Sequence, residues 1–308
     1  MLIDISFVKE KLDWMQEEKI WPNGLRYLWT DAFGVVLLTS MYRHTEEEYY
    51  LDQAEKVVSE VKRVLGREKG FRIGEQPDRH GQYYHYLAMW MYALHVLSWY
   101  RPEYHEEAIQ LVKDIHPHFV TPGVGVHWKM KEDLSEPAEG YGFGAIDYYH
   151  GYVVYNLIDQ DRLKKEILQM KELVDTSYQD LTITQDLGLG MMLWMCQFHE
   201  DEEWAQFQKK QSLKILDELW QDSPGYFSRQ RGMPKTKFAF TNFGISVGLQ
   251  SVDEQLERVD KLNEFFRNYR SGDKYETDAI THVMECNSHF PGLFIKDYDE
   301  IMIENQME

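Results

Sequence analysis

Tyr27-Leu-Trp-Thr-Asp31-Ala-Phe-Gly-Val-Val-Leu-Leu-Thr-Ser40 is long enough for three or more helical turns and is apolar on every side. A surface helix keeps one polar face, so a helix apolar all round is a buried one. It nevertheless carries Asp31 near its start. An ionised carboxylate is costly to bury unless it is paired, hydrogen-bonded or facing a wet cavity. The stretch therefore predicts an inner helix, 25–42, with a polar group at its N-terminal end.

Working outward, the pattern recurs. Before this helix, Asp4 is placed to cap a first helix through Met15, with Phe7, Val8, Leu12 and Met15 on one face. After it, Thr45 and Glu48 read as a capping box for an amphipathic helix to Leu65, whose Ala54, Val57, Val58, Val61 and Leu65 share one side. Further apolar stretches run over 82–100, 143–158, 184–198, 238–250 and 277–288. Amphipathic partners follow from Pro102, from Asp161, around Trp204 to Leu219, and around Leu256 to Phe266. A short segment, 297–305, closes the chain. Six inner and at least five outer helices at a period of roughly 40–60 residues signal a repeat architecture. The first helix is the candidate for the missing sixth outer one. A closed ring is expected over an open stack, which would leave an all-apolar helix wet. The expected fold is all-α, one domain spanning 1–308.

The totals limit function. The 308 residues give a formal net charge of -19, with 43% hydrophobic and 14% aromatic residues. Such a field repels phosphate backbones and anionic lipid, so neither nucleic acid nor membrane is an expected partner. A neutral or cationic small molecule fits better, unless a local basic pocket overrides the field. No window reaches the roughly 20 apolar residues of a membrane span. The N-terminus lacks the basic and apolar regions of a signal peptide, and Cys196 and Cys286 have no C-x-x-C partner, which together predict reduced core cysteines and a cytoplasmic protein. Oligomeric state is not readable.

The chain resembles the six-hairpin glycosidase-like superfamily, the (α/α)6 barrels or toroids. The resemblance lies in the helix order and in aromatic–acid openings such as Trp29-Thr-Asp31, Asp147-Tyr-Tyr-His150 and Thr277-Asp278-Ala-Ile-Thr-His282. It implies a carbohydrate-active protein, whether glycoside hydrolase, uronyl hydrolase or sugar epimerase. It carries no residue role with it.

Asp31, Asp147, Asp186 and Asp278 each fall in the first turns of an inner helix, and in a closed ring those ends converge at one mouth. Two carboxylates there can serve as acid and base, or acid and nucleophile, on a glycosidic bond. The bland reading is that an Asp in a first turn caps the helix and complements its dipole. His150 and His282 follow an Asp by three and four residues, which puts each pair on one helix face, while His80 and His85 flank Gln82-Tyr-Tyr. An Asp-oriented His is a base at neutral pH, as an epimerase requires. The competing reading is a buried hydrogen-bonded pair. Trp29, Tyr84, Trp128 and Tyr149 are candidate stacking platforms for a sugar, alongside Tyr83, Tyr148 and Phe143, although aromatics on inner helices are more often plain core. Arg72, Gln82 and Asn242 are candidate polar contacts. The longer connections at 66–79, 116–142 and 223–237 all precede inner helices and so lie at the same mouth, where they place Arg72, Trp128, Lys129 and Arg229.

Neither H-E-x-x-H nor a dinucleotide motif is present, since Gly142-Phe-Gly144 and Gly188-Leu-Gly190 do not follow strands. No metal or cofactor is expected. The glycines, with Gly244 and Gly248, read as points of close helix approach. The leading expectation is a glycoside hydrolase-like enzyme acting on a sugar through paired Asp carboxylates. The alternatives are a sugar epimerase or isomerase using His, and a non-catalytic ligand- or protein-binding barrel.

Overall fold

The computed structural model describes residues 4–233, 237–296 and 298. Six helices among them are buried nearly all round: α2 (Leu28–Thr45), α4 (Tyr84–Ser98), α6 (Asp147–Ile158), α8 (Asp186–Cys196), α10 (Ala239–Ser251) and α12 (Ala279–His289). Each has an amphipathic neighbour: α3 (Glu48–Leu65), α5 (Glu103–Phe119), α7 (Lys164–Ser177), α9 (Glu203–Leu219), α11 (Leu256–Asn268) and α1 (Ile5–Glu17). The buried period continues without a break from Leu28 to Met41, and the two hydroxyls inside that run donate back to carbonyls one turn earlier, Thr39 to Val35 at 2.8 Å and Ser40 to Val36 at 2.7 Å.

The helices form two compact units. The first, Lys19–Leu181, holds three hairpins: α2 with α3, α4 with α5, and α6 with α7, with α4 packed against both α2 and α6. The second joins Met1–Glu18 to Thr182–Glu308 and holds α8 with α9, α10 with α11, and α12 with α1. There the N-terminal helix takes the place of a sixth outer helix. Asp4 caps it by accepting from the Phe7 N–H at 3.0 Å, and it meets α12 through Phe7 on His289, Lys11 on Glu285 at 2.8 Å and Trp14 on His282.

Two local expectations change. Thr45 is the last residue of α2 rather than the cap of α3: its hydroxyl donates to Met41, and Glu46 ends the helix in a left-handed conformation. The connection expected from residue 116 begins after Phe119, because α5 continues past Pro117 in its last turn. The close-approach reading holds at α8 and α10, where a Cβ on Gly190 would meet the Gly244 carbonyl oxygen at 2.6 Å and one on Gly248 would meet that of Gly190 at 2.1 Å. The closing segment at 297–305 lies, Tyr298 apart, outside the described residues. Cys196 and Cys286 are buried and unpaired. Among the described residues, no helix is long and apolar enough to cross a membrane.

Candidate functional site

The N-terminal end of α4 is built into a frame by the two long connections of the first unit. Strand β1 (Gln82–Tyr83) pairs antiparallel with Lys129–Met130, and the Tyr84 N–H donates to the Trp128 carbonyl at 3.1 Å. The Trp128 N–H in turn donates to Gly142 at 3.0 Å. Gln82 lies beneath this frame, fully buried. Its Oε1 accepts from the Phe71 N–H at 2.8 Å and its Nε2 donates to the Lys69 and Glu132 carbonyls at 2.9 and 2.7 Å. Arg72 has a similar duty: Nε lies 3.0 Å from Glu132, and Nη2 donates to the Gln76 and Pro77 carbonyls. Both were expected to touch a ligand. Both instead hold loop backbone, because buried carbonyls and N–H groups must find partners.

On this frame stands an aromatic and imidazole cluster. His85, one residue into α4, stacks on Tyr83 (5.5 Å between centroids, 29°) and meets the edges of Tyr86 at 4.7 Å and Trp29 at 5.9 Å. Trp128 stacks on the same Tyr83 at 5.8 Å and is 42% exposed, with Tyr141 against its edge. The Lys129 ammonium lies 5.3 and 4.8 Å from the Tyr83 and Tyr141 ring centres. Asp147, which starts α6, brings Oδ1 to 3.4 Å from His85 Nδ1, an ion-pair separation rather than an aligned hydrogen bond.

Three polar atoms here are buried without a hydrogen-bond partner: Asp147 Oδ1, His150 Nε2 and Trp29 Nε1. His150 lies 3.2 Å through Nδ1 from the Ile146 carbonyl, which accepts. Nδ1 therefore carries the proton and Nε2 presents a lone pair. Burial, with a smaller contribution from nearby His85, lowers the His150 pKa to about 3, so this ring is neutral at physiological pH.

The other expected site residues have different surroundings. Asp31 is wholly buried and engaged: Oδ1 accepts from the Trp21 indole at 2.9 Å and faces Arg26 at 3.0 Å, and Oδ2 accepts from the Tyr27 N–H at 3.2 Å. Burial raises its pKa to about 6 against the pull of Arg26. Tyr84 and Tyr149 are fully buried, Tyr84 donating to the Tyr155 hydroxyl at 2.7 Å, so they are core rather than stacking faces. His80 is exposed in the loop before β1.

In the second unit, Asp186 accepts from the Thr241 hydroxyl at 2.5 Å and the Leu187 N–H at 2.8 Å, and burial raises its pKa to about 6. Asn242 is spent on backbone: it accepts from the Phe227 N–H at 2.7 Å and donates to the Phe227 and Phe238 carbonyls at 3.0 Å. Asp278 is the N-cap residue of α12. His282 lies on the face of α12 that meets α1, beside Trp14 and 3.8 Å from Glu285, so it sits between an inner helix and its outer partner. Among the described residues, no group of three or more His, Cys, Asp or Glu is arranged to hold a metal ion.

Tyr86 and Tyr141 join the cluster without having been singled out. Tyr86 is one of many apolar positions on α4, and nothing in an all-apolar helix separates a ring facing a site from one facing core.

No protein-family model matches the chain, and no curated protein matches it in sequence. Solved structures match its fold. A cellobiose 2-epimerase from Bacillus thermoamylovorans superposes with a TM-score of 0.66 at 12% identity, covering 93% of this chain and 99% of the other. A GH76 α-mannanase from Bacteroides thetaiotaomicron gives 0.69 at 10% identity, covering 97% of each. An α-1,6-mannanase from Salegentibacter, solved with α-1,6-mannotriose as a variant inactivated by Asp→Asn at two consecutive positions, gives 0.62 at 12%, covering 94% and 100%. The chain has the six-hairpin (α/α)6-barrel fold of these structures.

Proposed function

We propose that the chain is a sugar epimerase or isomerase, moving a proton at the carbon beside a sugar carbonyl. His85 is the acid–base group and Asp147 its orienting carboxylate. His150 and Trp29 bind sugar oxygens, and Tyr83 and Trp128 pack against the ring. The observation that carries this reading is the gathering of three buried, unpartnered polar atoms around His85. Each such atom costs about 1–3 kcal/mol, a penalty that a bound polyol removes.

The chemistry follows from the atoms. Asp147 beside Nδ1 holds that nitrogen as the protonated one and stabilises the imidazolium, leaving Nε2 as the base. Nε2 takes the proton from C2, the C–H electron pair becomes the C1=C2 bond, and the carbonyl oxygen becomes an enediolate. The Trp29 indole N–H donates to that oxygen, and His150 Nε2 accepts from the neighbouring hydroxyl. Once the enediolate has turned its other face to His85, return of the proton to C2 gives the epimer. Return of the proton to C1, with the hydroxyl proton of O2 passed to O1 as the C2=O bond forms, gives the ketose.

Hydrolysis by a carboxylate pair has less support. Asp31 and Asp186 have their oxygens engaged, and no two aspartates are adjacent anywhere in the 308 residues, unlike the mannanase with its two consecutive positions. The test is incubation with D-mannose, D-glucose, D-fructose, cellobiose and α-1,6-mannotriose in D2O, followed by NMR. Deuterium at a sugar carbon without bond cleavage, lost in His85→Ala, is the expected result. Cleavage of α-1,6-mannotriose with no deuterium incorporation in any sugar would sink the proposal.

A further inference from the structure

Strand register places one charge against the rings of the first unit's cluster. In the β1 pairing Gln82 stands opposite Met130 and Tyr83 opposite Lys129. Opposite residues of an antiparallel pair send their side chains to one face, and successive residues to opposite faces. Gln82 and Met130 turn beneath the frame, so Lys129 shares the other face with Tyr83, the ring that carries His85 and Trp128. The Lys129 backbone is held by this pairing and by the Ala138 N–H, which donates to its carbonyl at 2.9 Å. Its stem passes over Gly81, where a Cβ would lie 2.7 Å from Lys129 Cε.

Lysine is among the residues least often buried, yet Lys129 is only 5% exposed. Where Lys11, Lys62 and Lys113 face carboxylates, the Lys129 ammonium lies against two rings, 5.3 Å from the centre of Tyr83 and 4.8 Å from that of Tyr141. Both distances are those of a cation–π contact. Burial and a hydrogen bond to Tyr141 raise the Tyr83 pKa, so the ring offered to the ammonium is a neutral phenol. Tyr83 and Tyr141 meet edge to face at 6.2 Å, and one ammonium ties the two together. Tyr83 in turn makes the one near-parallel contact of His85, at 29°, whereas Tyr86 and Trp29 touch that imidazole edge-on at 87° and 63°. The plane of Tyr83 therefore sets the plane of His85. We infer that Lys129 is a positioning residue, which holds Tyr83 and Tyr141 through its charge and by way of Tyr83 fixes the ring of His85. That this alignment serves catalysis rests on the proton-transfer reading; the alignment itself does not.

The test compares Lys129→Met, which keeps the length of the stem and removes the charge, with Lys129→Arg, which keeps a cation for the rings. The first readout needs no substrate. In carbon–proton NMR spectra of the intact protein labelled at its 12 histidines, the His85 ring signal is identified by its absence in His85→Ala. A histidine stacked on a phenol feels its ring current, so this signal is expected to move further than that of any other histidine in Lys129→Met and to return toward the wild-type position in Lys129→Arg. The second readout is proton exchange on whichever of D-mannose, D-glucose, D-fructose and cellobiose exchanges in the wild type. There kcat is expected to fall about three- to tenfold in Lys129→Met with KM within about twofold, and Lys129→Arg to recover most of the loss. If no sugar exchanges, the catalytic reading fails and the NMR result still decides the alignment. A His85 signal unmoved in Lys129→Met overturns the inference. So does a raised KM at unchanged kcat, which would make Lys129 a substrate contact. A thermal midpoint several degrees lower in Lys129→Met, or the same signal shift in Lys129→Arg, would show that packing of the stem matters rather than the charge on the rings, and overturns it too.

Discussion

Asp31 at the head of α2 and Asp147 at the head of α6 look alike in sequence. Each is an acid in the first turn of an inner helix, next to aromatics, and each is almost wholly buried. Their surroundings differ. Asp31 receives an indole N–H, a backbone N–H and a guanidinium, all from residues 21–27 just before its own helix. Asp147 keeps one oxygen unpartnered and turns it toward a histidine from another hairpin. The first arrangement is locally complete and fixes the entry of α2. The second leaves an oxygen open. On the proposed reading, the same residue in the same helical position serves stability in one place and chemistry in the other, according to whether the preceding loop supplies its partners.

The contrast breaks most sharply on substitution. His85→Ala removes the proposed base, and proton exchange should fall by about 10²–10⁴-fold with the thermal midpoint unchanged. Asp147→Asn should act in the same direction, because an amide cannot stabilise the imidazolium, and should leave folding intact. Asp31→Ala should do the reverse. It strands the buried Arg26 charge, and the expected loss is about 3–5 kcal/mol of stability in a denaturant titration, with exchange retained below the unfolding transition. If Asp31→Ala abolishes exchange in protein that is still folded while Asp147→Asn does not, the two roles are reversed.

Proton linkage separates the pair next. Burial raises the Asp31 pKa from an ordinary 3.8 to about 6, so the folded chain holds that proton more tightly than the unfolded chain does. The stabilising contribution is complete below about pH 4 and is lost as pH rises through about 6, roughly 3 kcal/mol in all at about 1.4 kcal/mol per pH unit. Asp186 adds a slope of the same sign. His150 opposes both: its lowered pKa disfavours the folded state as pH falls below 6.5. The Asp31 share is isolated by comparing unfolding free energies of wild type and Asp31→Asn at several pH values from 4 to 7. The gap between the curves should change across that range, and parallel curves would show that Asp31 is not held in a desolvated site.

The helix order was legible because it depends on a repeated physical contrast. Stretches such as 28–41 are apolar on every side and 48–65 on one, and the chain alternates the two kinds. The acids at the inner-helix ends were legible for the same reason. What separated Asp31 from Asp147 was not, because the deciding partners, Trp21, Arg26 and His85, are set by loop geometry rather than by spacing. Gln82, Arg72 and Asn242 misled in a related way: a polar residue before or within an inner helix can face a ligand or hold a loop, and the sequence pattern is identical.

The smallest effect tests how Asp147 is held. A Cβ built on Gly144 would lie 1.7 Å from Asp147 Oδ2, so the carboxylate folds back over a position with no side chain. The N–H of Gly144 donates to the Val126 carbonyl at 2.8 Å, which keeps the backbone from moving aside. Gly144→Ala must therefore push the carboxylate, and a buried Asp has few other places to go. Loss of its alignment on His85 should reduce exchange by about tenfold, less than removing the carboxylate, because the charge remains nearby. A double-mutant cycle separates misalignment from simple damage: in an Asp147→Ala background Gly144→Ala should cost little further rate, whereas damage elsewhere would lower the rate in both backgrounds alike. A rate equal to wild type in Gly144→Ala would mean that the position of Asp147 does not matter, and the assignment of Asp147 as the carboxylate that orients His85 would fall with it.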